Sequence, residues 1–117
     1  MRDCNIVMSK SLTFALKTVG LFKMLCEQKK EFVMSRQILR CGTSIGANVK
    51  EAQCAQTKKD FVAKMYVAFK ESSETEYWLE LLHQSDFISQ AVFQELWLMN
   101  REIYSILSSI TKTAKEE

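Results

Sequence analysis

The absence of proline, together with only three glycines in 117 residues, is the feature that most limits what this chain can fold into. Proteins built from many short strands need turn residues between them, and glycine and proline are the commonest of these. Here the apolar residues recur at spacings of three and four instead, which is the pattern of one helix face. The sequence therefore predicts long helices around one hydrophobic core, with residues 1–117 forming a single domain.

Four periodic segments follow one another along the chain. The first is expected over about residues 5–30, and the second begins near Ser35, a residue suited to an N-cap. The third is expected over about 58–84, with Thr57 as its N-cap, and the fourth over about 90–113. Because short connections place neighbouring helices antiparallel, the predicted fold is all-α, an up-down-up-down four-helix bundle.

The charges of the chain are unevenly distributed. Residues 1–60 carry 11 Lys and Arg against 5 Asp and Glu, a net charge of +6, whereas residues 61–117 carry 5 against 9, a net charge of −4. Such an asymmetry is compatible with a basic surface that binds nucleic acid. It is equally compatible with a basic surface on one subunit that meets an acidic surface on the next.

The sequence contains no recognisable catalytic constellation. Glu80 and His83 form a Glu-x-x-His motif, but di-iron bundles use two such motifs and His83 is the only histidine. Gly42 and Gly46 match no phosphate-binding loop. The four cysteines have no zinc-site spacing and are expected to be free thiols. We therefore expect a non-enzymatic protein without metal or cofactor.

The apolar runs are short and interrupted by charged residues, so no membrane-spanning segment is expected. The N-terminal residues do not begin a signal-peptide pattern. The expected compartment is the cytoplasm, and no membrane partner is expected.

A polar residue interrupts the core stripe of the second helix. Asn48 must find hydrogen-bond partners there, since leaving them unmade would cost about 1–3 kcal/mol. Partners are available in the middle of the third helix, at Ser72, Thr75 and Glu76. We expect these residues to form a polar layer that fixes the register of the helices, as a buried Asn does in coiled coils. A ligand contact by Asn48 is the alternative.

The first and fourth helices each carry two apolar stripes, more than one small bundle can bury. On the first helix, the stripe that includes Leu12 is expected to face the core. The second stripes are expected to form an oligomer interface, since exposed aromatic patches usually mark one. Base stacking on these rings is the alternative. The expected interface residues are Phe14, Leu21, Phe93, Trp97 and Tyr104.

Basic side chains form groups on the first helix and around the first two connections. Such groups could neutralise phosphates, in which case binding would depend strongly on salt; the alternative is an ordinary solvated surface. The candidate nucleic-acid-binding residues are Lys10, Lys17, Lys23, Lys29, Lys30, Arg36, Arg40, Lys50, Lys58, Lys59 and Lys64.

Three ordered segments resemble one bacterial protein family. Residues 44–48, Ser-Ile-Gly-Ala-Asn, followed by Glu51, resemble the Ser-Ile-x-x-Asn-x-x-Glu core of the four-helix-bundle family named for 23S rRNA intervening sequences. Residues 60–64 are similar to the Asp/Glu-Phe segment that opens the third helix of that family. Residues 70–79, Lys-Glu-Ser-Ser-Glu-Thr-Glu-Tyr-Trp-Leu, resemble its Lys-Glu-x-x-Glu-Thr-x-Tyr-Trp-Leu variant. The resemblance extends over about residues 5–112.

The resemblance implies an antiparallel four-helix bundle, and some members of the family assemble as homopentameric rings. Related proteins include the accessory subunit of diversity-generating retroelements, a basic pentameric barrel to which binding of nucleic acid and of a reverse transcriptase is ascribed. The leading hypothesis is therefore a homo-oligomeric, non-enzymatic accessory protein that binds RNA or DNA through Lys and Arg. The alternative hypothesis is an oligomeric scaffold that binds protein without contacting nucleic acid.

Overall fold

The computed structural model describes the backbone of residues 2–116 and the side chains of residues 2–114. Over that range the chain forms four helices and no strand: α1 (Arg2–Glu27), α2 (Met34–Gln53), α3 (Lys58–Gln84) and α4 (Gln90–Glu116). The predicted all-α class and number of helices are confirmed. The bounds of α3 match the predicted segment, and α1 ends three residues earlier than expected. The elongated molecule measures 46 × 20 × 19 Å.

Side-chain caps define the starts of α2 and α3. Thr57 caps α3 as predicted, since its hydroxyl accepts the backbone N–H of Asp60 at 3.1 Å. The prediction that Ser35 caps α2 is wrong, because Ser35 is buried inside the helix. The carboxylate of Glu31 serves this end instead and accepts the N–H groups of Val33, Met34 and Ser35 at 3.1, 3.1 and 2.7 Å. These bonds satisfy donors that have no partner within the helix.

Each helix packs against the next in the chain, and α4 packs against α1. Contacting residues run in opposite directions along α2 and α3: Arg40 pairs with Glu71, whereas Glu51, later in α2, pairs with Lys64, earlier in α3. One core fills the space between the helices. Its largest fully buried apolar side chains are Phe14, Leu25, Ile38, Ile45, Met65, Leu79, Leu82, Ile103, Leu107, Val7 and Val49.

The face of α1 that contacts the core differs from the predicted one. Phe14 and Leu21 are only 1% and 5% exposed, so the prediction that they form an oligomer interface is wrong. Leu12, expected in the core, is 59% exposed. The buried face of α1 includes the small polar residues Ser11 and Thr18, both at most 1% exposed. Because these polar residues interrupt the apolar pattern, the sequence does not show which face of α1 contacts the core.

Small side chains on α1 face two glycines of α2. A Cβ atom on Gly42 would lie 2.9 Å from both Cγ2 and Oγ1 of Thr18, closer than real Cβ atoms approach other atoms. A Cβ on Gly46 would lie 3.3 Å from the Cβ of Ser11. The missing Cβ atoms therefore allow α1 and α2 to pack closely along this contact.

Candidate nucleic-acid interface

A buried polar layer joins α2, α3 and α4. Asn100 and Ser72 exchange two hydrogen bonds: the Ser72 hydroxyl donates to Oδ1 of Asn100 at 2.8 Å, and Nδ2 of Asn100 donates to the Ser72 carbonyl at 3.0 Å. The Thr75 hydroxyl lies within hydrogen-bond distance of the Cys41 sulfur, at 3.3 Å, and of the Glu71 carbonyl, at 2.8 Å. Four side chains of this layer are inaccessible to solvent: those of Asn100, Ser72, Thr75 and Cys41.

The predicted anchor of this layer, Asn48, does not belong to it. Asn48 is half-buried, and its Nδ2 donates to the Ser44 carbonyl of its own helix at 2.8 Å. Glu76 is also outside the layer, because its carboxylate pairs with Arg101 at 2.7 Å near the surface. Those two predictions are therefore wrong. The same reasoning applied to α4 would have found Asn100, which lies on the helical stripe of Leu96 and Ile103.

Four of the candidate phosphate-binding residues pair with carboxylates of the same subunit. Their partners lie on an adjacent helix, and most of the pairs join the basic first half of the chain to the acidic second half. The asymmetry of charge is thus partly neutralised within one subunit. The pairs are Lys10 with Glu102 at 2.8 Å, Lys17 with Glu95 at 3.5 Å, Lys64 with Glu51 at 3.2 Å, and Arg40 with Glu71 at 3.3 Å and with Glu74.

Four other candidates lie together around the connection between α1 and α2. We call Lys23, Lys29, Lys30 and Arg36 the connection cluster; all four are exposed. Among the described side chains, no carboxylate lies within 4.0 Å of their charged groups. The carboxylate within the connection, Glu31, is already engaged by the N–H groups of α2.

The remaining candidates lie towards the other end of the bundle, so the eleven residues do not form one face. Lys50 and Lys59 are exposed and have no carboxylate partner among the described side chains. Lys58 makes an interaction of its own.

The three aromatic residues predicted for an oligomer interface pack partly within the subunit. The Phe93 ring stacks on His83, with 4.4 Å between ring centroids, and on Trp97 at 5.4 Å. The Tyr104 ring packs on Phe69 at 4.8 Å, and the guanidinium of Arg101 lies 4.5 Å from its centroid. All three rings retain partial exposure, so they line the seam between α3 and α4 without being fully enclosed.

The described residues offer no group of three or more His, Cys, Asp or Glu side chains that could hold a metal ion. An open cleft of about 770 Å³ lies between the start of α1, the connection from α2 to α3, and the end of α4; Cys4, Thr57 and Ile110 are among its lining residues. No helix within residues 2–116 combines the length and apolar character needed to cross a bilayer.

The four cysteines are free thiols in distinct environments. Burial raises the pKa of the Cys41 thiol from 9.0 to about 11, and this effect outweighs the opposing effect of the Thr75 hydrogen bond. Cys54, by contrast, is exposed. The thiolate is the reactive form of cysteine, so Cys41 is doubly protected, by burial and by protonation.

We expect native protein at pH 8 to react rapidly with a thiol reagent at Cys54 and to leave Cys41 unmodified until it unfolds. Because folding favours the protonated Cys41 thiol, this contribution to stability is complete below about pH 9 and is lost as pH rises towards 11. Denaturation curves at pH 8 and pH 10.5 should show this loss, and a Cys41→Ala variant should lack it. Rapid labelling of folded Cys41 would contradict the assignment.

Four helices around one hydrophobic core define the class of the protein, a small α-helical bundle. The profile of the 23S rRNA-intervening sequence protein family matches residues 4–109, and the chain belongs to this family. The family resemblance drawn from the three sequence segments is thus confirmed.

A solved structure supports the same assignment. A protein of unknown function from the S23 ribosomal protein family of Bacteroides thetaiotaomicron VPI-5482, determined at 1.70 Å resolution, matches with a TM-score of 0.92. The two sequences are 49% identical, and the match covers 94% of this chain and 98% of that chain. A comparison with curated proteins gave no match.

Proposed function

We propose that this protein is a non-enzymatic accessory protein that binds RNA or DNA as a homo-oligomer, with Lys and Arg side chains contacting phosphates. The connection cluster carries this proposal. It gathers four exposed cations at one end of the bundle, without carboxylate partners in the described part of the chain. Unpaired surface cations bind a polyanion without first having to break an existing ion pair, and they release the counterions of the phosphate backbone.

The proposal includes an up-down-up-down topology and assembly into a ring, with five subunits as the family resemblance implies. The opposite directions of the ion pairs along α2 and α3, and along α1 and α4, support this topology. A ring requires heterologous contacts between different faces of successive copies. Since Phe14 and Leu21 are buried, we assign the contact to apolar residues that remain exposed: Leu12 and Leu16 on α1, at 59% and 66%, and Leu98 on α4, at 60%.

We place the protein in the bacterial cytoplasm, following the family resemblance. A protein partner such as a reverse transcriptase enters the proposal on the same ground. The rival function is an oligomeric scaffold that binds protein alone. Apolar residues exposed outside the assigned subunit contact favour it, Phe32 and Val33 at 47% and 71%, because exposed apolar patches mark protein interfaces.

Filter binding of a structured RNA hairpin over a salt series tests the proposal. We expect affinity to fall steeply between 50 and 200 mM salt, with a slope of log affinity against log salt roughly proportional to the number of phosphates contacted. Reversing two charges of the cluster, Lys29→Glu with Lys30→Glu, should lower affinity at least about 10-fold, since two phosphate contacts become repulsive. Light scattering on the same samples measures the mass of the oligomer.

The matched control reverses two exposed lysines away from the cluster, Lys50→Glu with Lys112→Glu. It changes the net charge equally, so a smaller effect is expected from it. Equal losses in both variants would show that total charge alone matters and would remove the cluster from the proposal. Absence of binding at 50 mM salt, or binding that ignores salt, would favour the protein-binding scaffold.

A further inference from the structure

The outward face of α3 carries alternating basic and aromatic side chains. Lys59, Tyr66, Lys70 and Tyr77, which we call the α3 stripe, are all exposed. At 100° per residue, the last three lie within about 20° of a line drawn through Lys59 along the helix, and the stripe is about 27 Å long. The separation between the two tyrosines is about 16 Å along the axis, and Lys70 lies between them.

Both tyrosines are accessible and supported by neighbouring rings. Tyr66 is 42% exposed and contacts Phe69, with 6.1 Å between ring centroids; Phe69 in turn packs on Tyr104. Tyr77 is 59% exposed and packs edge-on against Trp78 at 5.0 Å. Trp78 is itself fixed by the hydrogen bond of its indole N–H to Glu74 at 2.9 Å. Each tyrosine ring is therefore partly open to solvent and partly packed against a neighbouring ring.

The two lysines of the stripe have no carboxylate within 4.0 Å among the described side chains. The nearest carboxylates in helical position, Glu74 and Glu80, project about 60° to either side of the stripe. Glu74 is already paired with Arg40. The charge along the stripe itself is therefore positive.

We infer that the α3 stripe binds single-stranded nucleic acid, with bases stacked on Tyr66 and Tyr77 and phosphates neutralised by Lys59 and Lys70. The inference rests on the proposed function and names its substrate class. Single-strand-binding surfaces combine aromatic rings with cations that follow the backbone. A second copy of the chain fits this face less well, because it would bury the Lys70 ammonium, and lysine is depleted in the cores of protein interfaces.

Fluorescence anisotropy with a labelled 20-nucleotide oligouridylate tests the inference. Replacing both rings, Tyr66→Leu with Tyr77→Leu, removes stacking but keeps apolar bulk, and should lower affinity about 10-fold or more. Tyr66→Phe with Tyr77→Phe keeps the rings and should remain within about twofold. Lys70→Gln should weaken binding and reduce the magnitude of the salt slope by about 0.7, the value for one single-strand phosphate contact.

The control, Ile6→Ala, removes an exposed apolar side chain of α1 that lies outside both the α3 stripe and the assigned subunit contact, and it should leave oligouridylate binding unchanged. Thermal melts establish that each variant is folded, and light scattering gives its mass. Oligouridylate binding that is insensitive to Tyr66→Leu with Tyr77→Leu overturns the inference. A loss of mass in this tyrosine variant would assign the outward face of α3 to a subunit contact instead.

The two proposals fail in different ways. Hairpin binding that depends on the connection cluster but not on the two tyrosines leaves the proposed function standing and removes the α3 stripe. Failure of the unmodified protein to bind either the hairpin or the oligouridylate removes both.

Discussion

Replacing Gly42 with leucine is expected to lower the free energy of unfolding by about 3 kcal/mol, the upper part of the usual range for overpacking. A Cβ at this position already meets the Thr18 side chain at 2.9 Å, and the further carbons of leucine would separate α1 from α2. Thr18 has little freedom to move, because it is buried and its hydroxyl donates to the Phe14 carbonyl at 2.9 Å. Urea denaturation of the variant and the parent measures the loss.

Gly20 supplies the control within the same bundle. It is exposed, and a Cβ there would have no neighbour within 4 Å. Gly20→Ala should therefore stabilise the protein by about 0.5–1 kcal/mol through helix propensity alone. A double variant tests the cause directly. Gly42→Ala adds the Cβ that meets the Thr18 side chain, and Thr18→Ala removes the two atoms it meets. The double variant should therefore be more stable than the sum of the two single changes indicates. Additive effects would show that the contact with Thr18 is not the cause.

Replacing Asn100 with aspartate is expected to lower the free energy of unfolding by about 3 kcal/mol at pH 7, because the carboxylate must either enter the core charged or first bind a proton. The replacement is nearly isosteric, and one carboxylate oxygen can still accept the Ser72 hydroxyl. The other oxygen replaces the donor Nδ2 and would face the Ser72 carbonyl at about the observed 3.0 Å. Because the site is fully buried, the carboxyl group should fold in its protonated form.

The pH dependence of this variant distinguishes a buried charge from a loss of packing. The folded-state pKa of Asp at position 100 should lie above its unfolded value of about 3.9. The deficit relative to the parent should therefore grow as pH rises above 4 and shrink towards acid pH. Parallel urea curves at pH 4.5 and pH 7 measure it, with Ser105→Asp on the exposed side of α4 as the control. A deficit that is constant with pH would indicate a packing defect instead.

The sequence predicted the four helices correctly, but it predicted wrongly which face of α1 contacts the core. Periodicity predicted α3 over about residues 58–84, which agrees with Lys58–Gln84, because its start has a side-chain cap and its stripe continues along the helix. The orientation of α1 was predicted wrongly, since its core face is interrupted by Ser11 and Thr18. Their burial follows from the glycines of α2, a relation between helices that no local pattern contains.

For the candidate site, too, the sequence predicted one part and could not predict another. Charge and residue type identified basic side chains that could contact phosphates. Whether each is available depends on the neighbouring helix: Lys10 and Lys17 face glutamates of α4, whereas Lys29 and Lys30 face none among the described side chains. Lys70, a residue of the proposed α3 stripe, was not among the predicted cations, because it lies in the acidic half of the chain. The spacing of Lys70 from the tyrosines of the α3 stripe was a signal already present in the sequence.

The pairing of the basic half with the acidic half also limits how far the electric field of the protein extends into solvent. Opposite charges held close together cancel at a distance, and salt at physiological strength screens what remains beyond about 8 Å. Long-range electrostatic steering of a polyanion should therefore be weak. In the proposed function, binding would therefore depend on the cations that have no carboxylate partner among the described side chains, acting at close range after an unguided encounter.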